Sequence, residues 1–365
     1  MRRTIAMGLV LAACGGAPRS DGAREPVDAS ALTRCDAGDA SGCLEAGRAS
    51  ETGQGGEEDL AAAHALYQRA CDGGEPRGCT ALGAHVLTGR GVEASPSRAL
   101  ALFDRACDGG DLLGCYNLGV LIATPRDGVP ADPGRARALF ERACDGELSP
   151  ACNNLALLAR ADGDEARAIA LFTRGCEGAS ADACHNLALA LEAQGEAQLG
   201  RVRELLDRAC ARGVGASCAR LGELHEEGRG GPASPDEARA IYERSCDEAR
   251  PEPCVNLGAM FADASPPDYA RASALYARAC TAGEMRGCVA LGSLYSSARG
   301  VEQDHARASG LFARACERGL ARGCFNLAAS HASGLGVARD RARARELFAR
   351  ACSLGMDEAC RVVGP

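Results

Sequence analysis

The sequence predicts an all-α fold: an αα solenoid of about nine two-helix repeats, stapled by a disulfide between successive units. Three observations carry this. Cysteines at 35, 71, 107, 144, 176, 210, 246, 280, 316 and 352 recur every 32 to 37 residues, a period that belongs to stacked helical pairs. Each is followed by a second cysteine at a constant interval of 8 residues. The chain is also rich in Ala, Leu, Glu and Arg, with 4% aromatic residues and no Trp; thin helices packed through Ala and Gly need little aromatic bulk. A chain of 365 residues has room for two or three globular domains, but a repeat overrides that prior.

Taken in order, Met1-Arg2-Arg3 is a positive start and Ile5–Ala13 a short apolar run. The run is too short to span a bilayer and reads as a secretory signal over residues 1–13. Its ending, Leu11-Ala12-Ala13-Cys14, resembles the lipobox of bacterial lipoproteins, whose Cys becomes the new N-terminus and carries lipid. Cys14 is also the one cysteine without a partner at the constant spacing, so the same assignment explains the odd count of 21. The other reading is an ordinary signal peptide with a leftover thiol. Stable anchoring takes more than one acyl chain, and the resemblance implies such multiple acylation. Gly15, in place of Asp, favours the outer membrane by the same resemblance. Residues 14–33 hold little apolar content and read as a lipidated flexible tether. The solenoid is expected over 34–365, with no second apolar segment and therefore soluble.

The corners come next. Cys35 pairs with Cys43, Cys71 with Cys79, Cys107 with Cys115, Cys144 with Cys152 and Cys176 with Cys184. In the same way Cys210 pairs with Cys218, Cys246 with Cys254, Cys280 with Cys288, Cys316 with Cys324 and Cys352 with Cys360. Residues eight apart on one straight helix are roughly 12 Å from each other, whereas a disulfide needs Cα atoms about 4.4–6.8 Å apart. If each pair bonds, the chain reverses between its members, as at Asp108-Gly109-Gly110. The constant gap argues for local pairing in an oxidising compartment. A row of metal sites is the rival reading, but structural zinc prefers a gap of about two to four residues within each pair.

Helix A is expected to begin at the second Cys, with Leu three residues on and then a small residue, as in Leu82-Gly83, Leu118-Gly119, Leu155-Ala156 and Leu291-Gly292. Cys, Leu and the small residue share one face. Helix A stops at Gly-rich turns such as Gly89-Arg90-Gly91-Val92 and Gly334-Leu335-Gly336-Val337, where Gly supplies the left-handed backbone. Thr124–Pro133, Ala161–Asp164 and Ala264–Pro267 depart from that turn. Helix B opens on N-cap and first-turn signals such as Ser95-Pro96. It closes on Leu102-Phe103-Asp104-Arg105-Ala106-Cys107 and its equivalents, with Ala99, Phe103 and Cys107 forming one buried stripe.

These helices, the Leu-Gly pair, the Gly-x-Gly-Val turn and the Cys pair resemble Sel-like repeats. Those are relatives of tetratricopeptide repeats, here in the disulfide-bearing form of the Helicobacter cysteine-rich protein family. The resemblance covers roughly Arg34 to the C-terminus and implies a right-handed solenoid whose A helices line a concave surface. That surface implies a scaffold for an extended peptide or an envelope protein, exported and lipid-anchored in the periplasm or at the cell surface, with contact to the membrane only through Cys14. Asn117, Asn154, Asn186, Asn256 and Asn326, each two residues past the second Cys, are then candidate peptide-binding residues. Asn both donates and accepts, which suits a peptide backbone; the alternative is that each bonds a neighbouring turn. Arg69, Arg105, Arg142, Arg174, Arg208, Arg244, Arg278, Arg314 and Arg350 stand two residues before the first Cys, where a cation suits the helix dipole.

Composition excludes much chemistry. There is no Lys among the 41 basic residues, so the Walker phosphate loop, the Schiff-base lysine and Ser-x-x-Lys are all absent. The six His form no zinc-hydrolase pattern, and His225-Glu226-Glu227 lacks the second His. A net charge of −8, with Arg dispersed among acids, is no nucleic-acid footprint. No cofactor or metal is expected. Relatives in the cysteine-rich family often carry a β-lactamase or penicillin-binding label, so binding or hydrolysis of a β-lactam or peptidoglycan fragment is the alternative function. No serine- or zinc-hydrolase motif supports the hydrolytic form.

Overall fold

Each corner of the chain turns in the same way, and the repetition builds the architecture. The computed structural model describes residues 29–54, 57–125 and 128–363; the signal segment, Cys14 and the tether before residue 29 lie outside them. Helix α1 (Ala29–Asp36) starts inside the predicted tether, so residues 29–33 belong to the helical array. Nine two-helix repeats follow. They pair α2 (Ala40–Thr52) with α3 (Leu60–Asp72), α4 (Pro76–Thr88) with α5 (Pro96–Asp108), α6 (Leu112–Ile122) with α7 (Pro133–Asp145), and α8 (Ser149–Ala161) with α9 (Glu165–Glu177). The fifth repeat has α10 (Ala181–Glu192) and α11 (Leu199–Ala211), joined through a 3₁₀ turn at Glu196–Gln198. Then come α12 (Gly215–Glu227) with α13 (Pro235–Ser245), α14 (Glu252–Asp263) with α15 (Tyr269–Thr281), α16 (Met285–Ser297) with α17 (His305–Glu317), and α18 (Ala321–Ser333) with α19 (Arg341–Ser353). Helix α20 (Asp357–Val363) follows the last corner. The even-numbered helices are the A helices and the odd-numbered ones the B helices. The chain divides into two compact halves, residues 1–186 and 187–365, with the division inside α10.

All ten predicted cysteine pairs are disulfides. In the first half Cys35 is bonded to Cys43, Cys71 to Cys79, Cys107 to Cys115, Cys144 to Cys152 and Cys176 to Cys184. In the second half Cys210 is bonded to Cys218, Cys246 to Cys254, Cys280 to Cys288, Cys316 to Cys324 and Cys352 to Cys360. The Cα–Cα separations are 4.4–4.8 Å, and each bridge ties a B helix to the next A helix.

The A helices start two or three residues before the second Cys rather than at it. The reason is a tighter turn than the sequence suggests. Gly74 and Gly110 take φ of 88° and 93°, and the next backbone N–H, of Glu75 or Asp111, bonds back to Ala70 or Ala106 at 3.0 Å. That same residue caps the new helix: the Glu75 carboxylate accepts from Arg77 N–H and the Asp111 carboxylate from Gly114 N–H, both at 3.3 Å. The second Cys, such as Cys79 or Cys115, therefore sits in the first turn of helix A, facing back at its partner.

The Leu-Gly signature is a socket for an aromatic ring. A Cβ on Gly83 would stand 2.7 Å from Phe103 of the same repeat, and one on Gly119 or Gly292 would stand 2.7 Å from Phe140 or Phe312. The rings lie on the Gly backbone, and Phe103, Phe140 and Phe172 are fully buried. Each buried ring contributes roughly 1.5–3 kcal/mol, which is how a chain so poor in aromatics fills its core. The stripe Ala99, Phe103 and Cys107 is buried as predicted.

The Arg before the first Cys does more than meet its own helix dipole. Arg69 donates to the Cys35 carbonyl at 2.9 Å and to Asp36 at 3.1 Å. Arg105 donates to the Cys71 carbonyl at 2.6 Å and Asp72 at 3.3 Å, and Arg174 to the Cys144 carbonyl at 2.8 Å and Asp145 at 3.0 Å. The side chain thus reaches back one repeat, satisfies a C-terminal carbonyl of the preceding B helix and pairs with the acid beside it.

Candidate functional site

The A helices carry the candidate site, and their exposure differs along the chain. In the first half, α6 is buried from Gly114 to Ile122. Asn117 is buried there, and neither its amide nitrogen nor its oxygen has a partner among the described residues. Asn154, also buried, donates to the Tyr116 hydroxyl at 3.3 Å and accepts from Asn153 at 3.3 Å. Asn186 donates to the Asn153 carboxamide at 2.8 Å. The Tyr116 hydroxyl is pushed up to about 12 by burial, offset in part by its bond with Asn154. Asn117 and Asn154 are thus both enclosed by the array, and the second knits neighbouring A helices together.

In the second half the A-helix surface is more open. Asn256 is half-buried and donates to Glu223 at 3.0 Å and to the Tyr242 hydroxyl and Ala219 carbonyl, each at 3.4 Å. Asn326 is half-buried and lines a cleft of about 270 Å³ between α16 and α18. Ser293, Ser296, Ser297, Ser330 and Ser333 form its walls, with Phe312 and Leu335 also facing it. Four of these hydroxyls spend their protons on their own helix: Ser293 on Val289 O, Ser297 on Ser293 O, Ser330 on Asn326 O and Ser333 on Ala329 O. Their lone pairs remain, so the cleft is uncharged and rich in acceptors. The five Asn do not form one continuous ladder; Asn186 and Asn256 bond within the array while keeping partial exposure, and Asn326 faces the cleft.

Sequence reasoning missed the serine row, which is legible as Ser293, Ser297 and Ser330, Ser333 at helical spacing. It also missed a polar cluster in the first half. Glu51 accepts from Tyr67 and from Arg90, both at 2.5 Å, and stands 3.4 Å from Nε2 of buried His85. Burial pushes the Glu51 carboxyl up, but the close approach of His85, the bond from Tyr67 and the charge of Arg90 outweigh it and hold it at about 2. Tyr67 and His85 meet edge to face at 5.1 Å. Among the described residues no group of three or more His, Cys, Asp or Glu gathers as a metal site, and no helix is long and apolar enough to cross a membrane.

Stacked two-helix repeats with an exposed A-helix surface define a helical-repeat scaffold of the tetratricopeptide-like kind. The ten bridges mark it as an exported protein, since structural disulfides in such number belong to oxidising compartments and are rare in a reducing cytoplasm. More particularly, the chain belongs to the Sel1 repeat family, whose pattern matches residues 40–75, 76–111, 112–147, 149–180, 215–249, 254–284, 286–320 and 321–356. The unmatched stretch 181–214 is nevertheless a repeat in the structure; it carries Ala188 and Leu206 where most others carry Gly and an aromatic ring. No significant match to a curated protein sequence is found. Among solved structures, a protective antigen of uropathogenic Escherichia coli displaying an SLR fold is 18% identical, with a TM-score of 0.59 over 92% of this chain and 81% of that one. A Sel1 repeat protein from Oxalobacter formigenes is 21% identical, with a TM-score of 0.45 over 97% of this chain and 98% of that one. Helicobacter pylori cysteine-rich protein B is 26% identical, with a TM-score of 0.30 over 34% of this chain and 92% of that one.

Proposed function

We propose that this protein is a cell-envelope lipoprotein, anchored through Cys14 in the outer membrane, that holds an extended peptide or protein segment along the A helices of its second half. The observation that carries the reading is the serine-lined cleft beside Asn326. Ser293 and Ser297 are four residues apart, a rise of about 6 Å on a helix. N–H groups on one side of an extended peptide repeat at about 6.6–6.8 Å. A row of acceptors at close to that interval suits a short stretch of peptide main chain, and the free carboxamide of Asn326 supplies the donor that a peptide carbonyl needs. The absence of charge in the lining favours main-chain recognition over an ionic ligand.

The test is site-specific photocrosslinking in the cell envelope. A crosslinking residue at Ser297 is expected to capture one discrete partner, and one at exposed Arg345 on a B helix none. Asn326→Ala should reduce the Ser297 crosslink several-fold. Equal capture from both positions, or no effect of Asn326→Ala, would remove the groove from the account. Turnover of a chromogenic β-lactam by the pure, metal-free protein would instead favour the hydrolase alternative.

A further inference from the structure

A second cleft lies in the first half of the chain. It encloses about 170 Å³ and is lined by Arg48, Tyr67, Arg77, Thr80, Ala81, Asp111 and Leu113. Neither the Arg48 nor the Arg77 guanidinium has an ion pair or side-chain hydrogen bond among the described residues. Other copies of the repeat show what is missing. Arg322 occupies the place of Arg77, two residues before the second Cys, and pairs at 3.5 Å with Glu358 at the same place in the next A helix. The residue at Glu358's place facing Arg77 is Leu113. Glu223 occupies the place of Arg48, five residues past the second Cys, and accepts from Asn256 of the next A helix at 3.0 Å. The residue at Asn256's place facing Arg48 is Ala81. Both positions that meet a polar partner across the joint elsewhere here look onto apolar side chains of the same cleft.

The one acid in the lining does not fill the gap. The Asp111 carboxylate caps α6, accepting from Gly114 N–H at 3.3 Å and from the Thr80 hydroxyl, and its charge is offset there by the helix dipole. The two guanidinium groups leave a local excess of positive charge in a chain whose net charge is −8. A guanidinium presents a planar fork of donors that matches a carboxylate.

We infer that this cleft is a carboxylate-binding site, in which Arg48 and Arg77 together hold an acidic side chain of a peptide ligand. The inference stands apart from the serine-lined cleft, which is uncharged and in the other half, so either can fail alone.

Binding is read by fluorescence anisotropy on the full-length folded protein with three labelled peptides. One is Gly-Glu-Asp-Glu-Gly capped at both ends, one is its capped Gln/Asn analogue, and one is that analogue with a free C-terminal carboxylate. The capped acidic peptide should bind at least tenfold more tightly than its amide analogue. Arg48→Gln and Arg77→Gln should each weaken it about tenfold, with circular dichroism unchanged. Leu113→Glu installs the acid that Glu358 provides for Arg322, so it should compete internally and weaken binding too. If the analogue with the free terminus binds as well as the acidic peptide, and in an Arg-dependent way, the carboxylate is that of a chain end and the site still stands. Failure of both carboxylate peptides to bind, or affinity indifferent to both Arg substitutions, overturns the inference.

Discussion

Replacing Gly222 by Ala tests the ring-in-socket account of the repeat at its tightest point. A Cβ at Gly222 would overlap the Tyr242 ring and stand 2.7 Å from its hydroxyl. Carbon atoms at rest keep about 3.5–4.0 Å, so the ring must retreat or the two helices must part. Tyr242 is fully buried and its hydroxyl is tied to Asn256 and Glu226, each at 3.4 Å. Overpacking costs about 1–3 kcal/mol, and overlap with a fully buried, tethered ring places this case at the upper end, about 2–3 kcal/mol. Ala in place of Gly inside a helix returns up to about 1 kcal/mol of propensity. The net expectation is a loss of about 1–2 kcal/mol, confined to the joint of α12 and α13. Long repeat arrays unfold piecewise and a single melting temperature averages over them, so the assay is amide hydrogen exchange on those two helices. Protection there should fall about 5- to 30-fold. Tyr242→Phe in the same background should restore part of it, because the fourth repeat already combines Ala156 with a buried Phe172. Protection equal to the wild type, or the increase that propensity alone predicts, would refute the socket account.

Three further outcomes are expected. Cys107→Ala with Cys115→Ala opens a nine-residue loop and should cost roughly 2.5 kcal/mol on chain-entropy grounds, read as lost exchange protection at α5 and α6; little change would mean that helix packing alone holds the corner. Glu51, held at about 2 against an ordinary 4.5, contributes stability that is complete above pH 4.5 and lost as pH falls towards 2. The gap in urea midpoint between wild type and Glu51→Gln should therefore be widest near neutrality and close between pH 4.5 and 2, and a gap independent of pH would show that the charge is not what Glu51 supplies. Cys14→Ala should abolish incorporation of labelled fatty acid, whereas labelling that persists would move the anchor elsewhere.

Much of the fold is legible in the residues themselves, because those concerned act within one corner or one helical pair. Cys107 and Cys115 are eight residues apart, so their pairing is a local property of the chain, and the same holds at every corner from Cys35 with Cys43 to Cys352 with Cys360. Phe103 and Gly83 are further apart but recur together in most repeats, and recurrence points to contact. Spacing places the start of helix A too late because Gly110 closes the turn in fewer residues than a loop of that composition suggests. It also leaves Arg105 at its own helix terminus, whereas its partners, the Cys71 carbonyl and Asp72, lie one whole repeat back. An acid recurring beside the first Cys at the repeat interval is the available signal.

Spacing and composition alone determine the period, the staples, the buried stripe and an oxidising destination, since each is a property of one repeat or of the whole chain. Only packing between repeats decides which A-helix residues reach a ligand. Asn154 and Asn326 hold the same place in their repeats, yet one is enclosed and bonded to Tyr116 while the other lines a cleft. The difference arises from the side chain that the neighbouring repeat sets against each position, Tyr116 in the one case and Ser293 and Ser297 in the other. Arg77 and Arg322 differ for the same reason, with Leu113 facing one and Glu358 the other. A repeat specifies its own helices, but the exposure and charge of its surface are properties of the joint.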